Sequence, residues 1–421
     1  MSTIQIKNRK IGDGSPAYII AEMSANHSGS IERAKEIIRA AKESGADCVK
    51  IQTYTPDTIT IDCHNSYFQI ENGTWEGENL YSLYGKAYTP WEWHKELKEE
   101  ADRVGIDFFS TPFDTTSVDF FEEIGLEFYI IASFEMIDIP LLRYIASKGK
   151  PIIMSTGMGT KEEIEEALEA IREMGNDQVA ILKCSSAYPA ISGDMHLKTI
   201  ADMKKEFHIP VGLSDHSMGH LGATTAVALG ANIIEKHFCI SREIENPDAS
   251  FSMEPAEFKE MVEQVRLVEK AMGNVFYGVS AQEEGSKGFR RSIFVVKDMK
   301  KGEVITKEHV RVIRPGYGEK PKYMDDILGM KVGCDIEWGN PFSFDMLCKN
   351  SILFLTDDKD APIPQEVVKK CEDACEIYSI SNKITLELVQ KMQPSVIIYS
   401  NYRHSIPVEV KAFMNGRVME L

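Results

Sequence analysis

Two histidines, His216 in GLSDHS and His237 in EKHF, each close a short apolar run, and the two runs are consecutive in the chain. Imidazoles at the ends of neighbouring strands can meet, and two neutral rings with water and substrate oxygens suit a divalent Mn, Fe, Co or Zn ion with open positions. Such an ion polarises a carbonyl as a Lewis acid. Either histidine alone reads as an ordinary hydrogen-bonded residue; their pairing favours the metal. Glu22 and Glu135 close or follow other runs, Glu235 stands two residues before His237, and all three are available for proton transfer, water orientation or sugar hydroxyls. Lys50, Lys183 and Lys236 place cations near the same ends, while Ser155 to Gly159 and Ser214 add hydroxyls and backbone donors. That mixture binds phosphate or carboxylate, with the turn before Thr160 as an anion nest. Strand alternation turns Lys236 outward if Glu235 and His237 point in.

Eight short runs position these residues: Tyr18 to Ala25, Cys48 to Tyr54, Ile106 to Phe113, Phe128 to Ser133, Pro151 to Gly157, Ala180 to Ser186, Val211 to His216 and Ile233 to Phe238. Each is too short for an ordinary helix and lacks the alternation of a half-exposed strand, as expected for parallel strands buried on both faces. Amphipathic stretches such as Ile31 to Ser44, Trp91 to Val104, Lys161 to Met174 and Leu197 to Phe207 lie between them. Thr160 with Glu163 reads as a capping box, and Gly45, Gly105 and Gly175 stand where helices should stop. The pattern predicts an α/β chain headed by a (β/α)8 TIM barrel over residues 1–275, whose polar strand ends converge on one mouth. The connection from Pro56 to Pro90, with Phe68, Trp75, Tyr81 and Tyr84, is too long for an ordinary βα loop and reads as a substrate lid.

A helix from Pro255 to Met272 should close the barrel, and residues 276–290 have the composition of a linker. Residues 291–350 contain short β-rich pieces, Ser292 to Val296 and Val310 to Ile313, separated by turns. Residues 351–421 change again: strands at Ile352 to Leu355, Glu376 to Ile380, Ser395 to Tyr399 and Arg417 to Leu421 alternate with helices at Gln365 to Asp373 and Thr385 to Met392, the opening of a doubly wound α/β domain. The formal net charge of -18 over 421 residues offers no basic footprint for nucleic acid. No apolar run is long enough for a bilayer and no secretion signal is evident. The eight cysteines are scattered, with Cys371 and Cys375 reading as helix packing, so a reduced, cytoplasmic protein is expected.

AEMSANHSGS, KIQTYTPDT, STPF, ASFE, STGM, KCSSAYPA, GLSDHS, EKHF and PDASFSMEP, in this order, resemble the sialic acid synthase family, and KKGEVI with RPGYG resembles its small antifreeze-like (SAF) domain. AEMSANH, KIQTYTPDT, ASFE and KCSSAYPA are most similar to its pseudaminic-acid-forming branch. The resemblance implies condensation of phosphoenolpyruvate with a 2,4-diacetamido-2,4,6-trideoxy-altrose and a divalent Mn, Mg or Co ion on His216 and His237. It implies sugar contacts from Glu22 and Asp248, and phosphoenolpyruvate contacts from Lys50, Thr111, Ser133, Ser155, Ser186 and Ser214. Glu135 and Glu235 would lie near the reacting carbons. Arg314 would reach into a partner's barrel in a domain-swapped homodimer. ILFLTDD, KITLELVQKMQPSVIIYSNYRHSIP and NGRVMEL resemble the opening of a formyltransferase-type domain, without the catalytic Asn and His of the next motif; His404 reads as structural. Three alternatives stay open: an amino-sugar-binding homologue without turnover, a synthase for legionaminic or N-acetylneuraminic acid, and a Schiff-base aldolase using Lys50 or Lys183.

One position departs from the family pattern. The family's fourth-strand motif reads Lys-Ile-Ala-Ser or Lys-Ile-Gly-Ser, and Ile130 stands here in place of the lysine. Losing one charge-assisted contact to a multiply charged anion costs about 1.5–3 kcal/mol, or about 10- to 150-fold in transition-state binding. Ile130→Lys should therefore raise kcat/KM for phosphoenolpyruvate by that order in steady-state assays; equal efficiency in the two proteins contradicts the expectation.

Overall fold

The structure is a computed structural model that describes residues 3–348, 351–358, 362–365, 368 and 376–420. The chain divides into two compact units, 1–275 and 276–421. In the first, an antiparallel hairpin of β1 (Thr3–Ile6) and β2 (Arg9–Gly12) precedes eight parallel strands. These are β3 (Tyr18–Glu22), β4 (Cys48–Thr53), β5 (Asp107–Pro112), β6 (Tyr129–Ile131), β7 (Ile152–Ser155), β8 (Val179–Cys184), β9 (Val211–Asp215) and β10 (Ile233–His237). All eight fall on the expected runs.

The sheet order is β5-β4-β3-β10-β9-β8-β7-β6. The end strands face each other, with the rings of Phe109 and Phe128 4.3 Å apart, so the barrel is nearly closed. Helices Ile31–Glu43, His94–Val104, Thr115–Ile124, Ile139–Ala146, Lys161–Glu173, Lys198–Phe207, Leu221–Ala228 and Pro255–Met272 each follow one strand. Local chemistry sets their ends. Ser30 caps the first through the Arg33 N–H, and Thr160 and Glu163 close the expected capping box, with N–H to oxygen distances of 3.2 and 2.8 Å. Gly105 ends the His94 helix at φ 72°, a left-handed conformation that disfavours a side chain.

Alternation along the strands sorts side chains into two layers. Tyr18, Ile20, Cys48, Phe109, Phe128, Ile130, Ile153, Ala180, Leu182 and Ile233 fill the lumen, joined by Ile4, Ile6 and Ile11 of the hairpin. Ile19, Ala21, Val49, Ile51, Ile181, Leu213 and Ile234 face the helices. Burial on both faces explains the uninterrupted apolar runs, since each fully buried Ile or Leu contributes about 1.5–3 kcal/mol relative to exposure.

The second unit contains the antiparallel pair β11 (Ser292–Val295) and β12 (Val310–Ile313), then a parallel sheet in the order β14 (Glu376–Ile380), β13 (Ser351–Leu355), β15 (Val396–Tyr399) and β16 (Val418–Glu420). The first strand lies inside the sheet, as in a doubly wound opening. One core runs through the whole unit, joining Ile293, Met330, Phe344 and Leu347 to Leu353, Tyr378, Leu388 and Val389. Most of the expected helix Gln365 to Asp373, and Cys371 and Cys375, lie outside the described residues.

Gly212 on β9 marks how tightly the lumen closes. A Cβ there would sit 2.5 Å from the Ile233 carbonyl oxygen and 2.6 Å from Leu182 Cδ2, and backbone cannot yield as a flexible side chain does. Gly212→Ala should cost about 1–3 kcal/mol of stability, read as a lower urea midpoint; an unchanged midpoint contradicts this packing.

Candidate active site

The polar residues of the lumen all lie at the carboxyl ends of the strands. His237 closes β10 and His216 follows β9, and their ring centroids are 5.3 Å apart. His216 Nδ1 faces the Ser185 carbonyl at 3.1 Å and Cys184 Sγ at 3.7 Å, which leaves Nε2 free of that anchor. His237 Nδ1 is buried without a hydrogen-bond partner. An unpartnered imidazole nitrogen next to a second, anchored imidazole fits a metal ion. Among the described residues no cluster of three or more His, Cys, Asp or Glu forms an all-protein metal site, so an ion on this pair would complete its shell with water and substrate oxygens.

Burial drives the His237 pKa well below the ordinary value, and His216, Lys50 and Lys236 nearby push the same way. The ring is therefore neutral at physiological pH, the form that ligates metals. For His216, burial opposes protonation, but Cys184, the Ser185 carbonyl and Glu235 outweigh it and raise the pKa.

Next to the rings lies a buried ion triad. Lys50 Nζ is 2.8 Å from Glu22 Oε2 and 2.7 Å from Glu235 Oε1. Glu235 Oε1 also accepts from Ser214 Oγ at 3.1 Å, and Glu22 Oε1 from the Ser24 N–H at 2.8 Å. Glu235 Oε2 lacks a hydrogen bond, and Glu22 Oε2 is held by the Lys50 ion pair alone. Asp248 Oδ2 accepts from the Ala25 N–H at 3.1 Å, which ties the loop after β10 to the end of β3. Burial raises its pKa, with Ser24, Ala25 and His216 opposing.

A second group of donors converges at the ends of β6 to β8. The Gly157 N–H donates to Ser133 Oγ at 3.0 Å, and a Cβ on Gly157 would lie 2.1 Å from Ser186 Oγ and 2.7 Å from Ser133 Oγ. Only glycine leaves this cradle open. Ser155 and Thr111 are buried at their strand ends, and Thr111 Oγ1 has no partner. Glu135 sits in the short turn Ser133–Ile137; burial pushes its carboxyl up to about 7, with its own N–H opposing and Asp138 adding.

The first unit thus places the expected site residues other than Lys183 at the carboxyl ends of its strands, whereas Arg314 lies exposed in the second unit just after β12. Lys236 points outward, as alternation required. Lys183 also points outward, contrary to its expected place among the mouth cations, because Leu182 and Cys184 on either side of it take the inward positions. Its Nζ donates to the Cys184 carbonyl at 2.7 Å and lies 3.3 Å from Ser185 Oγ. It therefore cannot supply charge to the lumen in place of the family lysine. Ile130 points inward and is wholly buried.

Aromatic residues surround the histidines. Tyr188 lies 4.4 Å from the His216 ring and 5.3 Å from Phe251, and Phe251 lies 5.0 Å from His237. Trp75, from the long connection after β4, packs 5.4 Å from Tyr188 and donates its indole N–H to the Pro247 carbonyl at 3.0 Å. That connection reaches the mouth through Trp75 and carries the short helices Pro56–Ile59 and Leu80–Ala87. The signal for Tyr188 was its place in the loop after β8, five residues beyond Lys183 in KCSSAYPA.

Comparison with known proteins gives this geometry a lineage. The chain is 45% identical over 323 residues to a pseudaminic acid synthase of Campylobacter jejuni, covering 77% of this chain and 94% of that one. It is 40% identical to the pseudaminic acid synthase of Helicobacter pylori, covering 78% and 97%. Among solved structures, the N-acetylneuraminic acid synthetase of Leptospira borgpetersenii, in complex with citrate, aligns with a TM-score of 0.61 at 31% identity, covering 68% of this chain and 95% of that one. The NeuB family model matches residues 37–277 and the SAF domain model residues 290–347, and with the barrel and its paired histidines in place the chain belongs to the NeuB family.

Proposed function

We propose that this protein is a pseudaminic acid synthase, condensing phosphoenolpyruvate with a 2,4-diacetamido-2,4,6-trideoxy-altrose to give the nonulosonic acid and phosphate. The identity to named synthases supports the reaction class, and the observation that carries the chemistry is the His216 and His237 pair beside the Lys50, Glu22 and Glu235 triad. A divalent ion, Mn, Mg or Co, held by the two imidazoles would supply Lewis-acid polarisation of an aldehyde oxygen. Ser133, Gly157 and Ser186 would hold the phosphate, with Thr111, Ser155 and Ser214 toward the rest of phosphoenolpyruvate and Lys50 as its cation. Glu22 and Asp248 would take sugar hydroxyls.

The reaction then follows from charge. C3 of phosphoenolpyruvate forms a bond to the aldehyde carbon, whose oxygen takes a proton. Positive charge develops at C2, where the Glu235 carboxylate stabilises it. Water adds at C2, oriented by Glu135, its two protons pass to the former aldehyde oxygen and to phosphate, and the C2 keto group forms as the C–O bond to phosphate breaks with its electron pair leaving on phosphate. Arg314 would act from a second copy in a domain-swapped homodimer. Residues 351–421 would be a formyltransferase-like segment carried on the same unit as the SAF domain. No helix among the described residues is long and apolar enough to cross a membrane, and the six described cysteines are all free, which fits a reducing cytoplasm.

The test is product mass after incubation with phosphoenolpyruvate and the altro-configured diacetamido sugar, the manno-configured isomer or N-acetylmannosamine. The altro sugar should give product and a chelator should abolish it. Product only from another sugar, or phosphate release without condensation, contradicts the proposal. Glu135 adds a pH dependence. Its carboxyl, pushed up to about 7, is protonated at lower pH and becomes an acceptor for the water as pH rises. kcat should climb through pH about 7, and Glu135→Gln should lose that limb; a Gln variant with full kcat and the same limb removes Glu135 from the mechanism.

A further inference from the structure

The outward face of the same two strands carries a buried ion pair that the reaction does not use. Lys236, between Glu235 and His237, lies 2.8 Å from Asp215 Oδ2, with side-chain exposures of only 1% and 0%. Its Nζ also donates to the Ser217 carbonyl. Asp215 and Ser217 are the immediate neighbours of His216. Asp215 Oδ1 in turn accepts from the Ser217 N–H at 2.9 Å and the Ser217 hydroxyl at 2.7 Å. One ammonium thus grips both sides of one histidine while belonging to the residue next to the other. The helix above leaves room for this only because Gly222 lacks a side chain: a Cβ there would stand 2.6 Å from Asp215 Oδ2.

We propose that Lys236 and Asp215 are positioning residues that set the separation and orientation of His216 and His237 from behind the strands, so that the two rings can share one divalent cation. The inference rests on the metal reading above and deepens it. Charged groups buried on both sides are costly to hold, and replacing such a pair by uncharged groups of similar volume is often neutral for stability, so the fold alone does not require them. What they provide is a fixed link between two adjacent strand ends, where a small rotation of either ring would separate the nitrogens. Residues that orient metal ligands in this way typically tune affinity by about 10- to 100-fold when changed.

The experiment is calorimetric titration of the full chain with manganese(II) or cobalt(II) chloride, with no substrate present, together with the visible absorption of the cobalt form. The double variant Asp215→Asn with Lys236→Met removes both charges and retains an acceptor for Ser217. Gly222→Ala is the second variant, keeping both charges but displacing the carboxylate. Metal affinity should fall about 10- to 100-fold in each folded variant, with a changed cobalt spectrum, while phosphoenolpyruvate binding in chelator stays within about twofold of the parent. Parent-like affinity and spectrum in a folded variant overturn the inference and leave the metal reading intact. A parent protein that binds neither ion, or binds it equally after His216→Gln or His237→Gln, overturns both.

Discussion

Everything at the mouth depends on one constraint, the strict alternation of side chains along parallel strands closed into a barrel. Glu235 and His237 point inward and Lys236 outward on the same five-residue strand, β10. A slip of one residue would exchange the two sets. The outward lysine would then enter the lumen and the face bearing Glu235 and His237 would turn to the helices. The register β10 to β9 and β10 to β3, which sets Glu235 beside Ser214 and His237 beside Glu22, therefore fixes the chemistry as much as the fold. The apolar lumen below, from Ile4 to Ile233, makes that register hard to change.

Electrostatics impose the second demand. Two carboxylates share one lysine inside a nearly dry barrel, an arrangement that carries one surplus negative charge in a protein already at -18. Such a site binds an anion only through groups aimed at it locally. The serine and glycine cradle at the ends of β6 to β8 supplies dipoles without further charge, and Lys50 stands between the two carboxylates Glu22 and Glu235. With Ile130 inward and apolar and Lys183 turned outward, Lys50 would carry the cationic part of anion binding under the proposed function.

Much of this was legible in the sequence because its cause is local. Eight apolar runs with polar ends could be counted directly, and alternation alone placed Lys236 outside. The same rule applied to Lys183 would have removed it from the lumen, since Leu182 is apolar and Cys184 stands next to the serines; the residue's charge outweighed its parity in the reading. Tyr188 and Phe251 were not assigned because they stand on loops, where no periodicity fixes direction and only three-dimensional packing brings them to the histidines. The shared core of residues 293–347 and 353–414 was likewise invisible, because composition marks a change of strand pattern but not whether two patterns bury one common face.

The central claim is that His216 and His237 hold one ion between them. Pulsed electron paramagnetic resonance of the manganese-loaded protein reads the ligand nitrogens directly. Modulation from two imidazole nitrogens should appear, falling to one after His237→Gln. Modulation from no imidazole, or a pattern unchanged by that substitution, would contradict the claim.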